Sequence, residues 1–253
     1  MDPSSATTTA IGLIHQFADT LDTLGPGQFR SPTPCAGWTV EDLAAHVATG
    51  LFTAAEAFHR ARFGALSPPS KISGPIPSDA LADRIRLGAS HLREALDRGP
   101  RTWPDIGLRF GRYPFAAALQ CLVIEYGVHC NDLTRATTDP AAPFPRAAVD
   151  ALFGFGAQYL LLQAEPLEAP EIPEAPGTPP MKYTLRAPSA TMTIAWDGAR
   201  WREGTGSDGP GCTISGSDDD IARLMLRRMD ADELDLDDPH ALASGFVTAI
   251  RPL

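Results

Sequence analysis

Within the apolar stretch LVIEYGVHCNDL, residues 122–133, three ligand-type residues recur at helical spacing. Glu125, His129 and Asp132 stand at i, i+4 and i+7, so in a helix they share one face. A carboxylate and an imidazole among Leu119, Leu122, Val123, Ile124 and Val128 need a partner or a metal ion, because an unpaired buried charge is costly. Two side chains at i and i+4 can reach one cation, and a neighbouring helix can supply a third ligand. His46 is the candidate third ligand. Two imidazoles and a carboxylate suit Zn²⁺ with one coordination position open for water or substrate. They also suit Ni²⁺, Fe²⁺ or Mn²⁺. Plainer alternatives stand beside this. Glu125 and His129 also fit a simple i,i+4 helix contact, and a lone core histidine such as His46 often just donates to a backbone carbonyl. Cys121, one turn before Glu125, would close the site in a structural-zinc pattern if it were a fourth ligand; it is expected to point into the core.

Positioning these residues takes helices. The apolar spacing predicts a first helix over 7–24, with Ile14, Phe17, Leu21 and Leu24 on one stripe, stopped by Gly25-Pro26-Gly27. A second starts after Trp38, where Thr39 and Asp42 form a capping pattern, and carries Leu43, His46, Val47 and Leu51 to about Phe63. A proline-containing loop with Pro68, Pro69, Pro75 and Pro77 follows. The third starts near Ser78, with Leu81, Ile85, Ala89, Leu92 and Leu96. The fourth, after Pro114, bears Glu125 and His129, and the fifth covers 146–163. Long helices with modest loops predict an antiparallel bundle.

Proline every three or four residues between Glu165 and Pro180 cannot propagate a helix and predicts an extended linker. The chain is therefore divided into a helix bundle (1–164), a Pro/Glu-rich linker (165–181) and a small α+β domain (182–253). In the last, 182–186 and 191–196 alternate as strands, and Asp197-Gly198 predicts a hairpin turn before 199–202. Cys212–Ser215 forms a further strand, Ser217 caps a helix over 218–229, and a last helix spans 241–250. The fold class is α+β.

Composition narrows the partners. A net charge of −10 with no extended basic run argues against nucleic acid. No uninterrupted apolar stretch approaches the ~18 residues of a membrane span, and no basic segment followed by an apolar run suggests a signal peptide. The four cysteines, Cys35, Cys121, Cys130 and Cys212, form no CxxC and fit a reducing cytoplasm.

The run SPTPCAGWTVEDLAAH, residues 31–46, resembles the T-P-C-x-G-W-T-V-x-D-L-x-x-H signature of mycothiol-dependent maleylpyruvate isomerase-like proteins, within the DinB/YfiT-like superfamily. EYGVHCNDL, residues 125–133, resembles the same family's E-x-x-x-H-x-x-D-L. The resemblance covers the whole chain; the tail from about Thr193 is similar to the family's small sterol-carrier-like domain. It implies a DinB-like bundle with His46, Glu125 and His129 as metal ligands, Asp132 one turn further along, and an arginine in the C-terminal domain that helps hold an anionic substrate or thiol. Arg228 is the nearest match for that arginine; a cation at a helix C-terminus is the plainer reading of it. Trp38 reads as a packing anchor, Cys35 as a small buried hydrophobe that could alternatively be reactive, and Tyr126 as core.

The resemblance implies a divalent metal, Zn²⁺ first, and mycothiol as thiol cosubstrate. A free thiol with a pKa of roughly 8.5 is mostly protonated at neutral pH, and metal coordination would strip that proton. Asp132 would accept it or orient a metal ligand. The thiolate would attack a small electrophile: a cis-enedione acid such as maleylpyruvate would isomerise, whereas a substrate with a leaving group would be conjugated. The expected protein is thus a cytoplasmic isomerase or S-transferase acting on a small molecule, as a monomer or homodimer. A non-catalytic metal or ligand binder and a metal-dependent hydrolase are the alternatives.

Overall fold

The computed structural model describes residues 1–65, 67–69, 76–100, 102–108, 111–164, 181–204 and 209–249. The expected linker lies almost wholly outside the described residues, as do residues 66 and 70–75 of the proline loop. The chain falls into two compact units, Met1–Ala151 and Leu152–Leu253.

Four long helices build the first unit: α1 (Pro3–Asp22), α2 (Val40–Ala61), α3 (Leu81–Asp97) and α4 (Phe115–Thr137). α1 begins earlier than its apolar stripe suggests because Asp2 caps it, accepting from the backbone N–H of Ser4 and Ser5 at 3.0 and 3.1 Å, with Pro3 in the first turn. Its buried face, Ala10, Ile14, Phe17 and Leu21, lies against α3 and α4. α2 completes the ring, packing on α3 and more loosely on α4. The start of α2 is fixed by a capping box. The Thr39 hydroxyl accepts from the Asp42 N–H at 3.2 Å, and the Asp42 carboxylate accepts from the Thr39 N–H at 2.9 Å. That fixes where the helix starts, and so the turn on which His46 falls.

α4 is the central helix. From Leu122 to Leu133 every residue is buried except Glu125, which is half-buried. A helix apolar all round is enclosed all round, so Glu125 marks the one place in this stretch where the helix opens. Gly127 permits the close packing there. A Cβ at this position would stand 2.5 Å from that of Ala148, on α5 (Arg146–Phe155). A short hairpin, β1 (Ile106–Leu108) with β2 (Gly111–Tyr113), packs against both α2 and α4; three-residue strands leave too little alternation to be seen in sequence.

The single fifth helix expected over 146–163 is two helices. Gly156 adopts φ 54°, ending α5, and α6 (Ala157–Ala164) starts again beyond it. In the second unit α6 packs on a five-stranded sheet of order β5-β4-β3-β6-β7. β3 (Met181–Ala187) and β4 (Ala190–Trp196) form a hairpin, and β5 (Trp201–Glu203) follows the turn at Asp197-Gly198, with Gly198 at φ 97°. β6 (Gly211–Ser215) runs parallel to β3, and β7 (Asp235–Asp237), which the sequence did not reveal, closes the edge. α7 (Asp218–Met225) carries a second capping box, Ser217 with Asp220, and lies on β3. It stops earlier than expected because Arg227 turns left-handed at φ 61°. α8 (Ala243–Ala249) comes last. The protein is α+β, as its sequence pattern predicts. Among the described residues no helix is long and apolar enough to cross a membrane.

Candidate metal centre

The segment ahead of α2 is shaped by its own residue types. The Trp38 N–H donates to the Cys35 carbonyl at 3.0 Å, closing a turn in which Gly37, at φ 79°, takes the third position. That is a type II turn, which requires a positive φ at that position and so favours glycine. The Thr33 N–H donates to the Trp38 carbonyl at 2.9 Å and the Thr33 hydroxyl accepts from the Cys35 N–H at 3.2 Å, bracing the turn. Trp38 is thereby set against the second helix, its ring centroid 4.8 Å from that of His46 and 6.5 Å from that of His129.

His46, Glu125 and His129 converge between α2 and α4. The Glu125 Oε1 lies 3.0 Å from the His46 Nε2 and 3.4 Å from the His129 Nε2. All three ligand atoms fall within 4.8 Å of one another. Ligands held 2.0–2.1 Å from a tetrahedral Zn²⁺ stand about 3.3 Å apart, so the separations around Glu125 fit a shared cation. The two imidazoles and one carboxylate also fit in chemistry, and the partial exposure of His46 (25% of its side chain) and Glu125 (37%) leaves an open side.

Behind this cluster the environment is closed. Asp132 is fully buried and its Oδ2 accepts from the His129 Nδ1–H at 3.1 Å. With Nδ1 carrying its proton toward the carboxylate, Nε2 is the nitrogen that faces Glu125 and His46. The Cys35 thiol donates to the same Oδ2 at 3.2 Å, so Cys35, His129 and Asp132 form a second, buried set of ligand-type atoms.

The charges reinforce one another. Burial pushes the Glu125 carboxyl upward, but the adjacent His129 and His46 imidazoles outweigh it and hold it well below the usual carboxylate range. Burial likewise disfavours a charged His129; Glu125 first, then Asp132 and Cys35, reverse this and raise it well above the ordinary histidine value. Burial, followed by the Glu125 charge, pushes the Cys121 thiol up to about 12. Cys121 is not among the converging ligand atoms.

Of the residues singled out from sequence, the structure brings His46, Glu125, His129 and Asp132 together. Arg228 lies beyond α7 in the second unit, where its Nη1 donates to the Leu226 carbonyl at 3.0 Å. Sequence reasoning missed the link from Cys35 to Asp132, which joins positions 97 residues apart. The only signal for it was the short distance from Cys35 to the capped start of α2.

Taken alone, the first unit is a helix bundle with an interior cluster of His, Glu and His side chains, a class that builds metal centres from facing helices. Residues 12–134 match the family described as mycothiol maleylpyruvate isomerase N-terminal domain. Two solved structures share the fold, the mycothiol-dependent maleylpyruvate isomerase and a histidine-to-alanine mutant of it. They are 19% and 18% identical in sequence, each with a TM-score of 0.66, covering 94% of this chain and 93% of theirs. No curated protein matches the chain.

Proposed function

We propose that the protein is a metal-dependent enzyme that uses a low-molecular-weight thiol, mycothiol, to isomerise or conjugate a small electrophile of the maleylpyruvate type. The observation that carries this is the meeting of His46, Glu125 and His129 within 4.8 Å, in a segment that matches the isomerase family. These three residues would hold a divalent cation, with Zn²⁺ favoured by the donor set. Such a cation supplies the electrostatic stabilisation that makes a thiol, ordinarily with a pKa of roughly 8.5, available as thiolate at neutral pH.

The chain's own residues do the rest. Glu125 sits between the two imidazoles and offsets one positive charge. Asp132 keeps the His129 proton on Nδ1, so the role its buried carboxylate supports is orientation. Trp38 walls the imidazoles and limits water on that side. With an enedione acid, addition of the thiolate forms a C–S bond and moves the alkene electron pair onto the conjugated carbonyl oxygen. The remaining C–C single bond rotates, and expulsion of the thiolate re-forms the alkene in the trans geometry.

The test is metal analysis of the purified protein together with turnover of maleylpyruvate with and without mycothiol. Bound metal, thiol-dependent turnover and its loss in His46→Ala are expected. Turnover that needs no thiol would replace this reading with metal-assisted hydrolysis, and bound metal without turnover would replace it with a binding protein.

A further inference from the structure

We propose that Cys35 is a positioning residue for His129: its thiol holds the Asp132 carboxylate that in turn fixes the imidazole. The proposal rests on the reading of residues 46, 125 and 129 as a metal centre, and it gives the Cys35 side chain a task beyond filling space. Asp132 is entirely buried, and Cys35 and His129 are only 8% and 7% exposed, so bulk water does not set the orientation of this carboxylate. Protein donors must do so, because a buried carboxylate depends on the hydrogen bonds it accepts. One oxygen, Oδ2, receives both the Cys35 thiol at 3.2 Å and the His129 Nδ1–H at 3.1 Å. The thiol is a weak donor, but it comes from a rigid support. Its backbone is held by the type II turn through Gly37, by the Thr33 hydroxyl, and by the Val40 N–H donating to the Ser31 carbonyl at 3.0 Å. That last bond ties the turn to the capped first turn of α2, the helix that carries His46. The same short segment therefore sets His46 through the start of the helix and His129 through Cys35 and Asp132. Carboxylates behind a ligand histidine are worth about 10–100-fold in metal affinity, and a group that aims the carboxylate contributes part of that.

Three variants separate donation from packing. Cys35→Ser keeps a donor, Cys35→Ala removes it, and Cys35→Val removes it while retaining volume. Zn²⁺ affinity is measured by chelator competition, and the apo proteins are compared by thermal melting to establish that each variant folds. Affinity is expected to fall roughly tenfold in the Ala and Val variants and to stay within about threefold of wild type in Cys35→Ser. An independent readout needs no metal. In ¹⁵N-labelled apo protein the His129 Nδ1–H resonance is expected to be exchange-protected in wild type and Cys35→Ser, and broadened or lost in the other two. Equal affinities and equal protection across all four proteins would overturn the proposal, as would a Ser variant as impaired as Ala. So would a second equivalent of Zn²⁺ in wild type that Cys35→Ser abolishes, since Cys35 would then be a ligand. If wild type binds no metal, the functional reading fails while the proton resonance still decides the role of Cys35.

Discussion

At the scale of single residues, the site is organised around charge that faces inward. In the metal-free protein Glu125 and His129 hold each other ionised, and the sign of the pH dependence follows from the two shifts. The depressed Glu125 contributes stability that is present above its ordinary value of 4.5 and is lost as pH falls through the folded value. The raised His129 contributes stability that is full below 6.5 and fades as pH climbs through its folded value. Glu125→Gln removes the shared interaction, so the gap in melting temperature between apo wild type and this variant should be widest between pH 4.5 and 6.5 and narrow on either side. Scanning calorimetry of both proteins across that range checks it. Asp132→Asn keeps the shape of the side chain but lets an amide face Nδ1, which favours the wrong tautomer. It should weaken Zn²⁺ binding about 10–100-fold by chelator competition while the fold remains.

Elements decide how tightly the ligand-bearing helices are held. The approach of α5 to α4 leaves no room at Gly127, where an added Cβ would lie 2.5 Å from the Ala148 Cβ. Gly127→Ala should therefore destabilise the protein by about 1–3 kcal/mol through overpacking, measured by denaturant unfolding, with Gly50→Ala as the comparison because nothing lies within 4 Å of its Cβ position. The end of α7 carries the opposite case. Arg227 is left-handed at φ 61°, and its Nε and Nη1 are buried without hydrogen-bond partners. A left-handed conformation costs a non-glycine residue about 1–2 kcal/mol. Arg227→Gly should therefore leave stability unchanged or raise it, despite the greater freedom of glycine in the unfolded chain; a clear fall in unfolding free energy would give the buried guanidinium a stabilising role.

For the whole molecule, the functional reading makes stability depend on metal. A ligand that binds only the folded state at a hundred times its dissociation constant adds about 2.7 kcal/mol. Adding a strong chelator should lower the melting temperature of wild type and leave that of His46→Ala nearly unchanged, as thermal melts with and without Zn²⁺ would show.

Much of this was readable in the sequence because it is local. The i, i+4, i+7 spacing of Glu125, His129 and Asp132 fixes their shared face within one helix, and the Thr39/Asp42 and Ser217/Asp220 caps declare two helix starts through contacts three residues apart. Asp197-Gly198 specifies its turn for the same reason. What the sequence could not determine depends on packing between distant segments. That His46 meets Glu125 depends on the relative rotation of α2 and α4, set by side-chain packing along both helices, and periodicity within either helix carries no information about it. The break at Gly156 overrides a continuous apolar stripe, and the short strands β1, β2 and β7 owe their existence to the neighbours they pair with or pack against. Cys35 shows the division most sharply. Its turn is written in the adjacent glycine and threonine, but its partner on α4 exists only once the chain has folded, because a hydrogen bond across 97 residues needs the tertiary fold to bring its ends together.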